Sequence, residues 1–331
     1  MKIRASIGTA AVLGLEKILL QAKPTTAYLL MYSDTNCLSN CSFCPQAKES
    51  SGRKDALSRI LWPVYELDII IEQLAKQGTG LKRICIQTVR YENSTEDLLE
   101  IIEQFSENKI STPLTVCCYP TTKEIFSKMK NFGVSRVGIS FDCATPEIYN
   151  EIKGKKRGSD ISWEMMEKSI QDAMEIFGKR FVSTHLIIGL GETEKEAIQF
   201  LQKFHDLNIT VGLFAFTPVK GTTLEKHPQP DIESYRRIQL ARYLINAGKT
   251  SFSKITFSSR DEQRDQILDF GVIKEEIEQI ISYGKPFRTS GCPHCNRPYY
   301  NESPGKDLYN FPFELTEEDI AVVRKSLIDS F

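Results

Sequence analysis

The sequence predicts an α/β protein, a (β/α) barrel of the TIM type that is complete or nearly complete. Three observations point there. Apolar runs of strand length recur along the chain, segments of helical period fill the gaps, and 331 residues is a length at which such barrels fold as one unit. Strand followed by helix, repeated about seven times, argues a parallel sheet with right-handed crossovers. Its active site is then expected at the C-terminal ends of the strands.

The elements follow in order. Lys2 and Arg4 before ASIGTAAVLGL imitate a signal peptide, but Glu16 and Lys17 cut the apolar stretch short and LEKILLQA continues as an amphipathic helix. Residues 1–22 are therefore expected to form a helical cap. The barrel is expected over 23–284. Its strand candidates are TAYLLMY (26–32), RICIQTV (83–89), LTVCCY (114–119), RVGISFD (136–142), FVSTHLIIG (181–189), VGLFAFT (211–217) and KITFSS (254–259). Helical periodicity marks 61–77, 96–107, 162–177 and 194–206 between them. The remainder, 285–331, is expected to be an irregular tail, rich in Pro, Gly and Asn, ending in a helix near 316–328 capped by Thr316.

Bulk properties narrow the class. Lys and Arg number 42 against 43 Asp and Glu, a net charge of −1, which gives no drive toward nucleic acid or an anionic membrane. No run approaches the about 20 apolar residues of a membrane span. Neither nucleic acid nor membrane is expected as a partner. The nine cysteines do not form a secreted disulfide framework, and their spacings suit metal, so the expected compartment is the reducing cytoplasm.

Cys37, Cys41 and Cys44, spaced C-x3-C-x2-C in CLSNCSFC, are the most informative residues. Three thiolates on one loop can hold three irons of a 4Fe–4S cube and leave the fourth open to a ligand. The loop follows the first strand, on the face where the active site is expected. Cys85, Cys117, Asp142 and Ser183 lie within strands whose alternate residues point into the lumen. Cys292 and Cys295 form a C-x2-C pair in the tail; half a zinc knuckle is the alternative there, though no partner pair is evident.

The run CSFCPQ (41–46) with Phe43, FDCATPE (141–147), IIGLGETE (187–194) and TPVKGT (217–222) occur in the order seen in biotin synthase, so the chain resembles the radical S-adenosylmethionine (SAM) superfamily over roughly 26–262. The resemblance implies that Cys37, Cys41 and Cys44 ligate a 4Fe–4S cluster whose open iron binds SAM. It implies that Asp142 takes the ribose hydroxyls, that Gly189 and Gly191 border the adenine, and that Phe43 and His185 neighbour the cofactor. Biotin synthase-like proteins carry an arginine for the SAM carboxylate on the helix after the fourth strand; here SWEMMEKS (162–169) offers methionines and Lys168.

The same family holds an auxiliary cluster on three strand cysteines and an arginine. Cys85 and Cys117, or its neighbour Cys118, match the first two; Ser183 replaces the third, Arg260 matches the arginine, and either Arg260 or Ser259 is the candidate to touch the second cluster. With Cys292 and Cys295, four thiolates suffice for a second 4Fe–4S cube. These departures argue against biotin synthase itself.

The tail GCPHCNRPYYNESPG and the opening RASIGTAAVLGL resemble the biotin synthase-like components of two-protein lipoyl synthases. That resemblance implies sulfur insertion into an octanoyl or mercapto-octanoyl chain on a lipoyl domain or H protein. It further implies a second radical SAM paralogue and a ferredoxin- or flavodoxin-type reductant. Arg53, Lys54, Arg59, Lys155, Lys156 and Arg157 are then candidates to meet the acidic carrier, or are simply solvated. The alternatives are a biotin synthase-like enzyme of another substrate (biotin formation, a methylornithine-type rearrangement, metallocofactor maturation) and a non-catalytic iron–sulfur scaffold.

Overall fold

The computed structural model describes residues 1–76, 78–259, 265–302 and 307–328. Strand β1 (Lys2–Ala5) and helix α1 (Ile7–Val12) precede β2 (Thr26–Met31). A small hairpin of β3 (Ala56–Leu57) and β4 (Ile60–Leu61) follows, then β5 (Val64–Glu66) and α2 (Leu67–Ala75). From there strand and helix alternate: β6 (Arg83–Gln87), α3 (Ser94–Glu107), β7 (Leu114–Cys118), α4 (Lys123–Asn131), β8 (Val134–Ile139), α5 (Pro146–Ile152), α6 (Trp163–Phe177), β9 (Val182–Ile188), α7 (Glu194–Asp206), β10 (Thr210–Ala215) and α8 (Ile232–Asn246).

The principal sheet has the order β10-β9-β8-β7-β6-β2-β1-β5. Every pair from β2 to β10 is parallel, as the alternation demands, while β1 runs antiparallel to both β2 and β5. Leu29, Ile84, Ile86, Val116, Val137 and Leu186 pack outward against helix residues such as Ile70, Ile102, Phe126 and Phe204. Helix ends obey their sequence signals: Thr122, Thr145, Ser162, Thr193 and Thr316 each accept a backbone N–H one turn on.

Three expectations are corrected. The N-terminal segment is not a helical cap: Lys2–Ala5 is a strand that covers the edge of β2, and the helix stops where Gly14 takes φ +75°. The helical reading of 61–77 begins too early, because Pro63 and the paired Val64–Glu66 hold the chain extended until Leu67. The seventh barrel strand is absent from the sheet. Within 254–259 only Thr256–Phe257 (β11) pair, and they do so with Ile267–Asp269 (β12) in a separate ladder.

The tail occupies the edge that a seventh strand would have taken. Ser290 Oγ accepts from Leu213 N (2.8 Å), and Asn301 Nδ2 donates to Ala215 O (2.7 Å), so side chains satisfy the outer backbone of β10. The same segment reaches the start of β2, where Thr26 Oγ1 donates to His294 O (3.0 Å) and Asn296 Oδ1 accepts from Thr25 N (3.0 Å). Helices α9 (Lys274–Ser282) and α10 (Glu317–Ile328) flank it. Among the described residues no helix is long and apolar enough to cross a membrane.

Candidate active site

One cavity of about 280 Å³ runs down the lumen. Cys41, Cys44, Phe43, Asp142 and Lys153 line its mouth; Cys85, Cys117, Cys292 and Cys295 line its lower part. A smaller adjoining cavity of about 100 Å³ is bounded by Cys37, Cys41, Cys44, Gln46 and Tyr119.

The mouth loop is held by its own backbone. Gln46 O accepts from Cys37 N (2.8 Å), and the Gln46 amide donates to Lys54 O and Ala56 O. Asn36 Nδ2 donates to Ala47 O, Lys48 O and Ser50 O. From across the barrel, Gly221 presses on Gly52; a Cβ there would come within 2.4 Å of Gly52 N, so the TPVKGT run needs its glycine. Tyr119 OH lies 3.2 Å from Cys37 Sγ, and Arg90 N donates to the same sulfur. Burial pushes the Cys41 thiol up to about 11 and Cys44 higher still, so without metal both keep their protons.

Asp142 has left-handed backbone, φ +65°, and is fixed by its N–H to His185 O and its C=O from Ile187 N. Its carboxylate meets Lys153 Nζ at 2.6 Å. His185 also faces the lumen: Ser140 Oγ lies 2.8 Å from its Nδ1, and Phe214 packs on its ring at 4.9 Å. The lumen reaches Ile187 but neither Gly189 nor Gly191. Those glycines shape the turn instead, with Gly189 under Pro230 and its N–H on the Glu192 carboxylate.

At the floor the chain assembles four thiols from three places. Cys85 and Cys117 stand 3.8 Å apart on neighbouring strands. The Cys85 S–H and His185 hold Cys117 below the ordinary thiol range, and the same bond, with burial, drives Cys85 up. Cys118, one residue on, belongs to the core although it also borders the cavity, and burial pushes its thiol up to about 12; it is Cys117 that stands against Cys85. Cys292 Sγ lies 3.7 Å from Ser183 Oγ, which is the position where a third strand cysteine was expected. Cys295 Sγ sits 3.5 Å from both Tyr28 OH and Arg297 Nη1.

The sequence reading missed Arg297, Arg83, Tyr28 and Lys153. Arg297 stacks on Phe214 at 3.8 Å and donates to Leu213 O; Arg83 donates to Pro293 O and Thr115 Oγ1. Arg83 is two residues before Cys85, so alternation alone places it on the same face. Ser259 is exposed beyond β11, away from the lumen, and Arg260 lies outside the described residues. Cys143 is wholly buried in the outer core.

Among the described residues no three His, Cys, Asp or Glu converge tightly enough to hold a single metal ion. Cluster thiolates need no such convergence, since each binds its own iron. The three thiols of the mouth loop have the donor chemistry of a 4Fe–4S cube.

A radical SAM superfamily profile matches residues 32–204, more than half of the chain. The chain belongs to the radical SAM superfamily. This radical SAM protein is 27% identical to the biotin synthase of Clostridium acetobutylicum over 218 residues, 63% of its own length and 62% of that protein's. It is 25% identical to the Neorickettsia sennetsu enzyme over 293 residues, covering 77% and 85%. It thus spans under two thirds of the Clostridium relative. By fold it is similar to methylornithine synthase (PylB; TM-score 0.51, 15% identity, 67% of this chain and 62% of that one). It is also similar to the FeFe-hydrogenase maturase HydG of Carboxydothermus hydrogenoformans (0.50, 17%, 74% and 56%). Superfamily membership implies a 4Fe–4S cluster and SAM, and the chain is similar in sequence to biotin synthases.

Proposed function

We propose that this radical SAM enzyme inserts sulfur into a protein-bound octanoyl-type chain, as one component of a lipoyl synthase. One observation carries the proposal: four thiols, Cys85, Cys117, Cys292 and Cys295, line the same cavity as Cys41 and Cys44 of the mouth triad. The mouth triad would hold the SAM-binding cluster and the floor thiols an auxiliary one. Together these groups supply, when bound, a 5′-deoxyadenosyl radical and a sulfide donor.

The chain's own residues shape what enters between them. Phe43, Leu57, Ile161, Met166, Ile187, Phe214 and Phe216 make the lumen largely apolar and exclude water from a reactive carbon. The cations in the lower lumen are already engaged: Arg83 and Arg297 donate to floor carbonyls. A neutral acyl chain, its carboxyl tied up in an amide, suits such a tunnel better than a free acid. At the rim Arg59 and Lys155 are exposed and free to meet an acidic carrier domain. Lys156, Arg53 and Arg157 are paired with Glu151, Asp55 and Glu49. A second paralogue and a low-potential ferredoxin or flavodoxin complete the scheme.

The test is anaerobic reconstitution with SAM, reductant and an octanoylated lipoyl domain. Mass added to the domain as sulfur, with 5′-deoxyadenosine formed and floor iron lost after one turnover, is the expected result. Many turnovers with the floor iron intact and no sulfur transferred would instead make the chain a rearrangement or maturation enzyme.

A further inference from the structure

Among the described residues, the lumen is lined by four charged side chains: Arg83, Asp142, Lys153 and Arg297. Both arginines are tied to the floor. Lys153 alone is a cation at the mouth. It caps the C-terminus of α5, and its ammonium turns back over the end of β8 to reach Asp142 Oδ2 at 2.6 Å and Ser140 O at 2.7 Å. The two side chains are only 10% and 12% exposed. Burial alone would lower the Lys153 ammonium; Asp142 and Cys41, both within electrostatic reach, hold it up.

A buried ion pair seldom outperforms an apolar pair of the same volume. Asp142 carries a left-handed backbone as well, φ +65°, which turns its carboxylate toward the lumen. Asp142 Oδ1 makes no hydrogen bond among the described residues, so one oxygen aims Lys153 while the other remains for a ligand.

SAM bound at the mouth triad would bring its carboxylate to the same end of the lumen as Lys153. Held beside Cys41, that anion would be buried, and a buried anion without a partner is costly. Helix α6 does not answer it: Met166 lines the cavity, Met165 is exposed, and Lys168 points away with its side chain 73% exposed and bound to Asp172. We infer that Lys153 receives the carboxylate of SAM, with Asp142 as the residue that aims it. The inference rests on the superfamily assignment and adds the identity of the counter-charge.

Equilibrium binding of two ligands, SAM and decarboxylated SAM, to reconstituted wild type, K153M and K153R decides it, with iron counted in each protein. K153M is expected to lose about 10- to 100-fold in affinity for SAM, the worth of a charge-assisted hydrogen bond, and to bind decarboxylated SAM within about twofold of wild type. K153R should recover most of the SAM affinity. Equal losses for both ligands would mean that Lys153 only props Asp142, and no loss would mean that it touches nothing; either result overturns the inference. If K153M takes up less iron, K153Q and K153R carry the same comparison. Wild-type protein that binds neither ligand would sink the superfamily reading instead.

Discussion

The two ends of the barrel hold cysteines in opposite ways. At the mouth, Cys37, Cys41 and Cys44 lie within eight residues on one loop whose shape is set by Gln46, Asn36 and local backbone bonds. At the floor, Cys85 and Cys117 come from neighbouring strands, and Cys292 and Cys295 arrive from a tail far away in sequence. A local loop can organise its metal almost independently of the rest. A site assembled over long range exists only when the whole fold does. Reactivity at the floor is therefore conditional on completed folding, and reactivity at the mouth much less so.

The largest effect should come from separating the two ends. Alanine at Cys37, Cys41 and Cys44 is expected to abolish 5′-deoxyadenosine formation and to reduce about eight irons to about four. Alanine at Cys292 and Cys295 should remove a similar amount of iron, leave SAM cleavage intact and end sulfur transfer. Iron analysis and product chromatography read both; loss of all iron in either variant would show that the ends are not independent. A finer probe distinguishes neighbours on one strand. Cys117→Ala should cost floor iron, whereas Cys118→Ala should cost about 1 kcal/mol of stability through a small core cavity and no iron, as followed by denaturant unfolding.

The smallest effect tests the turn above the lumen. Burial, opposed by the Gly189 and Leu190 N–H groups, lifts the Glu192 carboxyl from 4.5 to about 7. The folded state then prefers the protonated acid, so wild type loses stability relative to Glu192→Gln as pH climbs through that window, and the gap is constant above it. Melting temperatures of the two proteins at pH 5 and pH 8 should diverge in that direction.

The same contrast explains what the sequence disclosed. The mouth triad, the alternation of strand and helix, and α7 and α10 with their threonine caps were legible because each is a local signal. The floor was half legible: Cys85 was placed, the choice between Cys117 and Cys118 stayed open, and Cys292 and Cys295 were noticed as a pair. What brings them together, the Thr26–His294 and Leu213–Ser290 bonds, has no sequence signature. The seventh strand was misread because Thr256 and Phe257 have strand character, yet the edge of β10 was already taken by the tail. Arg297 escaped notice because nothing in NRP announces a guanidinium that stacks on Phe214.

That edge is closed by a plug rather than by a stave. Side-chain bonds from Ser290, Arg297 and Asn301 replace the backbone ladder that another strand would make. Its seat is not polar alone: Tyr300 packs on Tyr28 and Trp62, and Phe287 and Phe311 are buried in the core, so stopper and staves hold or fail together.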